Sequence, residues 1–235
     1  PSQTEKSKVK ISIEEMSLLG WLITDGSIRG GSSPNWYVFQ SKEPYRTLRR
    51  LRFGHWFTKE EIIPSTLPLH PLEHSRFHLK ARKVRKLLGK LNTTSEQLLV
   101  DLPSIITRVS PAHRMAMLES MLQAEGSLTT YKRWNFAQKI NNPQIEIFSI
   151  LATLCGFRMG KHCLDKNNDV IKIHLLSRPS VDVANLHISE LGSMPAWCPQ
   201  TTTGNWVARY NNQITLTGNC SEDKIRDKVA QIAKE

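Results

Sequence analysis

Two acids, Asp25 and Glu125, each close an apolar stretch, and each is followed by glycine, serine and an aliphatic residue. The first stretch reads Ser17-Leu18-Leu19-Gly20-Trp21-Leu22-Ile23-Thr24-Asp25-Gly26-Ser27-Ile28, the second Met117-Leu118-Glu119-Ser120-Met121-Leu122-Gln123-Ala124-Glu125-Gly126-Ser127-Leu128. Both are apolar nearly all round, so each predicts a buried helix rather than a surface one. An acid at the end of a buried helix is costly unless positive charge meets it. Gly20 and Ser120 hold the matching place in the two helices, and small residues there would let the backbones approach closely. The acids would then meet at one end of a helix pair. Two carboxylates so placed repel, and a divalent cation that prefers hard oxygen ligands, such as Mg²⁺, is the natural compensation.

The elements around the acids repeat as well. A strand-like segment follows each helix, Trp36-Tyr37-Val38-Phe39-Gln40 and Trp134-Asn135-Phe136-Ala137-Gln138, with Trp and Gln at the same separation. A proline follows each strand, Pro44 or Pro143, and opens a helix-like run, Tyr45 to Phe57 or Gln144 to Phe157. Further strands are predicted at Ser75 to Ala81, Arg158 to Cys163 and Val170 to Leu176. The plan is helix, strands, helix, strands, helix, twice over.

Charge points to the partner. The formal net charge is +11, and residues 42–90 hold 13 Lys or Arg against 4 Glu, which is +9 of that total. Such a cluster favours a polyanion, although a merely solvated face would look the same. The cysteines Cys155, Cys163, Cys198 and Cys220 form no CxxC pair and suggest neither a zinc site nor a disulfide framework. His70, His74 and His78 have the spacing of a helical zinc face, but Pro68 and Pro71 argue for a loop running into a strand. No apolar run approaches a membrane span and the start lacks a signal-peptide pattern, so the expectation is an intracellular, cytoplasmic protein.

On these residues the chain resembles the LAGLIDADG homing endonucleases in their single-chain, two-motif form. Residues 18–26 and 118–126 carry the resemblance, with Ser120 at a motif glycine and Glu125 at the acid, supported by the shared Trp, Gln and Pro that follow. Leu102-Pro103 and Val109-Ser110-Pro111, before the second copy, are similar to intein-borne members. The resemblance implies an α+β fold: tandem αββαββα repeats, about 11–100 and 111–190 within a 1–190 endonuclease, forming a pseudo-twofold saddle. It implies a monomer that cleaves double-stranded DNA across the minor groove of a long asymmetric site and leaves 3′ overhangs. Asp25 and Glu125 would be catalytic metal ligands for two or three Mg²⁺ or Mn²⁺ ions. Gln40 and Gln138 match a strand glutamine that helps position water or metal. The family's active-site lysine stays unassigned among Lys42, Lys80, Lys132, Lys139 and Lys172. DNA contacts fall to Arg46, Arg49, Arg50, Lys80, Arg82, Lys83, Lys132, Arg133 and Lys139, most of them to phosphate and therefore salt-sensitive.

The last quarter changes character. Asn205 to Tyr210 and Ile214 to Gly218 read as two strands joined by the polar turn Asn211-Asn212. With Met194 to Pro199 they resemble the C-terminal splicing blocks of an intein (Hint) domain, a small β segment at 191–219. Residues 220–235 would then begin the downstream host protein, with Ser221 capping a helix. The resemblance makes Asn219 the residue that cyclises and Cys220 the first host residue. Gly218 departs from the usual histidine. Cys198 and Thr217 resemble inteins that use an internal cysteine nucleophile. Splicing would require a separate N-terminal fragment. Two alternatives remain at this level: an inactive remnant that binds DNA or RNA, and the C-terminal part of a trans-splicing intein with a passenger nuclease.

Overall fold

The structure, a computed structural model, describes residues 8–28, 36–64, 74–129, 133–160, 162–165 and 169–176, with the backbone of strands at 205–210 and 213–218. Two helices organise it. Helix α1, Ile13–Asp25, starts at a capping box in which Ser12 and Glu15 each bond the other's backbone amide. Its partner α5, Pro111–Glu125, starts at a proline in its first turn. Both end at the residue before the motif glycine. A Cβ on Gly26 would lie 2.1 Å from the Leu22 carbonyl oxygen, and one on Gly126 2.2 Å from that of Leu122. Only glycine lets the chain turn this sharply from helix into strand, and that turn leaves each acid at the helix end.

The packing of α1 along α5 is the most extensive contact between any two described elements. It is tight at Gly20, where an added Cβ would lie 2.6 Å from the Met117 carbonyl oxygen and 3.2 Å from the Ser120 Cβ. The helix interface cannot admit that methyl without separating. Gly20→Ala is therefore expected to destabilise the protein by about 1–3 kcal/mol, read as a lower thermal midpoint.

Around this pair the chain repeats one plan. After α1 come β1 (Gly26–Ile28), β2 (Trp36–Gln40), α2 (Tyr45–Phe53), β3 (Phe57–Ile63), β4 (His74–Leu79) and α3 (Ala81–Leu91). Helix α4, Leu98–Arg108, leads into α5. Then follow β5 (Gly126–Leu128), β6 (Trp134–Lys139), α6 (Gln144–Leu154), β7 (Arg158–Met159), β8 (Cys163–Asp165) and β9 (Val170–Leu176). The antiparallel sheets have the orders β1-β2-β4-β3 and β5-β6-β9-β7, with β8 also on β9. Strands β7 and β8 pair with successive parts of β9, so together they fill the place of β3.

The expected tandem αββαββ order is thus present, with shifts in detail. The run predicted as one helix from Tyr45 stops at Phe53, because Gly54 begins a 3-10 turn and Phe57 enters β3. The strand predicted over Arg158 to Cys163 is interrupted between β7 and β8. Helix α4, which contains Pro103, was not expected.

One apolar core runs beneath both sheets. Trp21 lies against Phe53, Phe57 and Phe77 and donates its indole N–H to the Phe39 carbonyl at 2.7 Å. In the second half Phe136 stacks on Phe148 with ring centres 4.0 Å apart. The last described strands, β10 (Asn205–Tyr210) and β11 (Gln213–Gly218), form the antiparallel hairpin expected there, and β11 runs beside α6. No described helix is long and apolar enough to cross a membrane.

Candidate metal and nucleic-acid site

The ends of α1 and α5 bring Asp25 and Glu125 together, and their side chains share a hydrogen bond. Burial, then the charge of Glu125 and that hydrogen bond, push the Asp25 carboxyl from an ordinary 3.8 up to about 8, against the pull of Arg49 and Lys42. At neutral pH the pair therefore keeps a proton between its two acids. A cavity of about 490 Å³ opens beside it, lined by Asp25, Glu125, Phe39, Gln40, Lys42 and Arg76 among others.

Lys42 stands at this site. Its Nζ donates to the carbonyls of Ala124 at 2.8 Å and Gly126 at 2.7 Å, on either side of Glu125. It reaches there because β2 ends two residues earlier, next to the last turn of α5. The matching residue of the second half is Ile140, two after Gln138, so the contact made by Lys42 has no lysine counterpart at that position. Among the described residues no group of three or more His, Cys, Asp or Glu side chains could hold a metal on its own. The protein's acidic ligands are the two carboxylates, and a cation here would take further oxygens from water or from a phosphate.

The cavity is bounded by the ends of α1 and α5 and by β2, β3 and β4 of the first sheet. The face of the first sheet that points away from the helices carries Tyr37, Phe39, Lys59, Glu61, Arg76 and His78. The Arg76 guanidinium lies over the rings of Tyr37 (5.0 Å) and Phe39 (5.2 Å), and His78 bonds Glu61 at 2.9 Å. Register places Asn135, Lys172 and His174 on the same side of the second sheet, with Asn135 bonded to His174. Polar, hydrogen-bonding and cationic groups at alternate strand positions suit base edges and phosphates in a groove.

No family model matches the sequence, and no curated protein matches it. Solved structures do resemble the fold. The I-DmoI complex with DNA and Mn shares 19% identity at a TM-score of 0.45, over 70% of this chain and 91% of that one. The homing endonuclease I-WcaI bound to its DNA recognition sequence shares 14% identity at a TM-score of 0.45, over 68% of this chain and 75% of that one. At this level of likeness the function of the chain rests on its own side chains.

Arg49, expected to touch DNA, lies in the core, and the strand glutamines bond neighbouring side chains. Arg49 is 2% exposed and cannot hold phosphate. Its Nε donates to the Gln40 Oε1 at 2.8 Å, its Nη atoms donate to the Ser120 Oγ at 3.1 Å and the Ser120 carbonyl at 2.9 Å, and it lies 4.1 Å over the Trp21 ring. Burial pushes its guanidinium down to about 9, so it is still a cation at neutral pH. Gln40 lines the same cavity, is itself 1% exposed, and its oxygen accepts from Arg49. Gln138 donates to the Gln144 Oε1 at 2.7 Å, and Gln144 donates to the Ile23 carbonyl.

The other described cations expected to touch DNA are exposed or half-buried. Arg46 pairs with Glu43, and Arg50 makes a two-pronged bond to Glu60 at 2.7 and 2.8 Å. Lys80 donates to the His55 carbonyl, and Lys83 lies 5.3 Å from the Trp56 ring. Lys90 of α3 bonds Glu15, and Trp56 bonds Glu14, so α3 flanks the first turn of α1. Asp25 is ten residues further along that helix, about 15 Å away. Arg82, Arg133 and Lys139 are exposed. Lys132, Cys198, Asn219 and Cys220 lie outside the described residues, as does the side chain of Thr217.

Proposed function

We propose that the chain is a site-specific DNA endonuclease of the LAGLIDADG type that depends on a divalent metal ion. The observation that carries this reading is the meeting of Asp25 and Glu125 at the end of a packed helix pair, beside Lys42 and the polar face of the first sheet. The donor set suits Mg²⁺ or Mn²⁺. Two hard carboxylates hold a proton for want of a stronger cation, and binding an ion in its place would relieve both their repulsion and their desolvation. A bound ion would supply an activated water and offset charge on the phosphoryl group.

The chain's own residues do the rest. Asp25 and Glu125 hold the ion, and Lys42 fixes the last turn of α5 while adding positive charge where a scissile phosphate would lie. Arg76, His78, Asn135, Lys172 and His174 contact the groove. Because the two sheet faces differ in chemistry, the two halves of the target should differ as well. An asymmetric duplex bound by a single chain follows from this. The test is incubation with Mg²⁺ and a library of duplex sites. Sequence-specific double-strand cuts that stop on chelation support the reading, and binding without cutting favours a remnant that only grips nucleic acid.

We also propose that residues 191–219 form an intein C-terminal splicing segment, with Cys198 as nucleophile, Asn219 as the cyclising residue, Thr217 beside them and Cys220 as the first host residue. Its support is the sequence resemblance together with the β10–β11 hairpin, whose last residue, Gly218, immediately precedes Asn219. Supplying an N-terminal splicing fragment should then yield ligated host protein, and Cys198→Ala should abolish it. Ligation that survives this substitution would remove Cys198 from the role.

A further inference from the structure

Both strand glutamines point to the helix side of their sheets, and each anchors a bridge that crosses to the other half of the molecule. In the first half Gln40 holds Arg49, and Arg49 grips the Ser120 hydroxyl and carbonyl on α5. In the second half Gln138 holds Gln144, and Gln144 donates to the Ile23 carbonyl on α1, two residues before Asp25. The bridges use different chemistry, a guanidinium in one and an amide in the other, yet each joins a β2-type strand to the motif helix of the opposite half. Ser120 also explains itself here. Its partner position is Gly20, which leaves room for Met117, whereas the Ser120 hydroxyl is an acceptor that a buried guanidinium requires.

We infer that Gln40, Arg49 and Ser120 on one side, and Gln138 and Gln144 on the other, are positioning residues: two cross-half clamps that fix the separation of the Asp25 and Glu125 carboxylates. The inference rests on the nuclease reading above and departs from the expectation that the glutamines act on water. Two helices packed through small residues can slide or rotate about each other. A slip of a fraction of an ångström at Ser120 or Ile23 would change how the acid pair holds a cation. Arg49 reaches α5 five residues before Glu125, and Gln144 reaches α1 two residues before Asp25, so each clamp acts within about a turn and a half of the acid it serves.

The experiment measures Mn²⁺ affinity by electron paramagnetic resonance, with thermal unfolding and amide hydrogen exchange on the same samples of full-length protein. Variants are Ser120→Ala, Gln144→Leu, Arg49→Lys and the double variant Ser120→Ala with Gln144→Leu. Each clamp variant is expected to weaken Mn²⁺ binding by about tenfold while still unfolding cooperatively. The double variant should lose more than either single one. Unchanged Mn²⁺ affinity in Ser120→Ala and Gln144→Leu overturns the inference. So does a Gln138→Leu protein that cleaves slowly with Mn²⁺ affinity intact, since that is the behaviour of a residue acting directly on water. If the wild-type protein binds no Mn²⁺, the nuclease reading fails, and the clamps are judged by exchange alone. Faster exchange in the last turns of α1 and α5 in the variants supports them, and unchanged exchange rejects them. Should Arg49→Lys fail to fold, Ser120→Ala still cuts one prong of the same clamp.

Discussion

Asp25→Asn is expected to reduce metal-dependent DNA cleavage by about a thousandfold or more while the protein stays folded and still binds duplex DNA. The amide keeps the size of the carboxyl and can hydrogen-bond Glu125, but it brings no negative charge to a cation. One carboxylate remains where the charge of a divalent ion calls for two. Glu125→Gln should behave alike, because the two acids enter the site as equals from the two helix ends. The same change removes a buried charge held against its neighbour, so the variant should be more heat-stable than the wild type above about pH 8. Loss of function coupled to a gain in stability is the signature of a site held under electrostatic strain, and a purely structural carboxyl would show the opposite. The measurements are nicking and linearisation of a target-bearing plasmid, gel-shift of the same site and thermal unfolding. Cleavage by the Asn protein at the wild-type rate would end the nuclease reading.

The sequence shows the repeat, the buried helix pair and the acids because those features are written in residue type and spacing. Apolar stretches of the same length end in acid, glycine and serine about a hundred positions apart, and no packing detail is needed to see them. The glutamines could also have been placed. Gln40 falls on the same strand parity as Trp36 and Val38, and Gln138 on that of Trp134 and Phe136, so alternation already puts both on the core side. Resemblance links them to water or metal, and the pleat turns their side chains toward the helices.

Arg49 was harder to read. In the run Arg46, Arg49, Arg50, Arg52 nothing in residue chemistry singles it out. The signal was helical: Tyr45, Arg49 and Phe53 lie at i, i+4 and i+8, and Phe53 is a core residue, so a guanidinium between them had to be buried and satisfied. Its partner Ser120 is 71 positions away, and that pairing belongs to the packed fold. Lys42 escaped assignment for a related reason. Its acceptors are backbone carbonyls of α5, which have no sequence identity to recognise. Strand β3, with Thr58, Lys59, Glu60 and Glu61 in succession, lacks apolar alternation. It is held by its register on β4.

Raising the pH from about 5 to about 9 should lower the thermal stability of the metal-free protein, and Mg²⁺ should restore it. In the folded chain Asp25 gives up its proton only near pH 8, whereas its ordinary value is 3.8. The folded state thus holds a proton that the unfolded chain has released. The stabilisation is complete below 3.8 and is lost as pH climbs through about 8, with a slope of at most about 1.4 kcal/mol per pH unit for one proton. Arg49, pushed down to about 9, keeps its charge through most of this window, so the slope reports the acid pair. Asp25→Asn should flatten the profile. An ion competes with the shared proton for the same oxygens, so the gain in melting temperature on adding Mg²⁺ should be larger at pH 8.5 than at pH 6, roughly the two sides of the Asp25 transition. A level profile in the wild-type protein, or an equal slope in Asp25→Asn, would mean that the two carboxyls do not share a proton. The case for a cation between them would then lose its electrostatic footing.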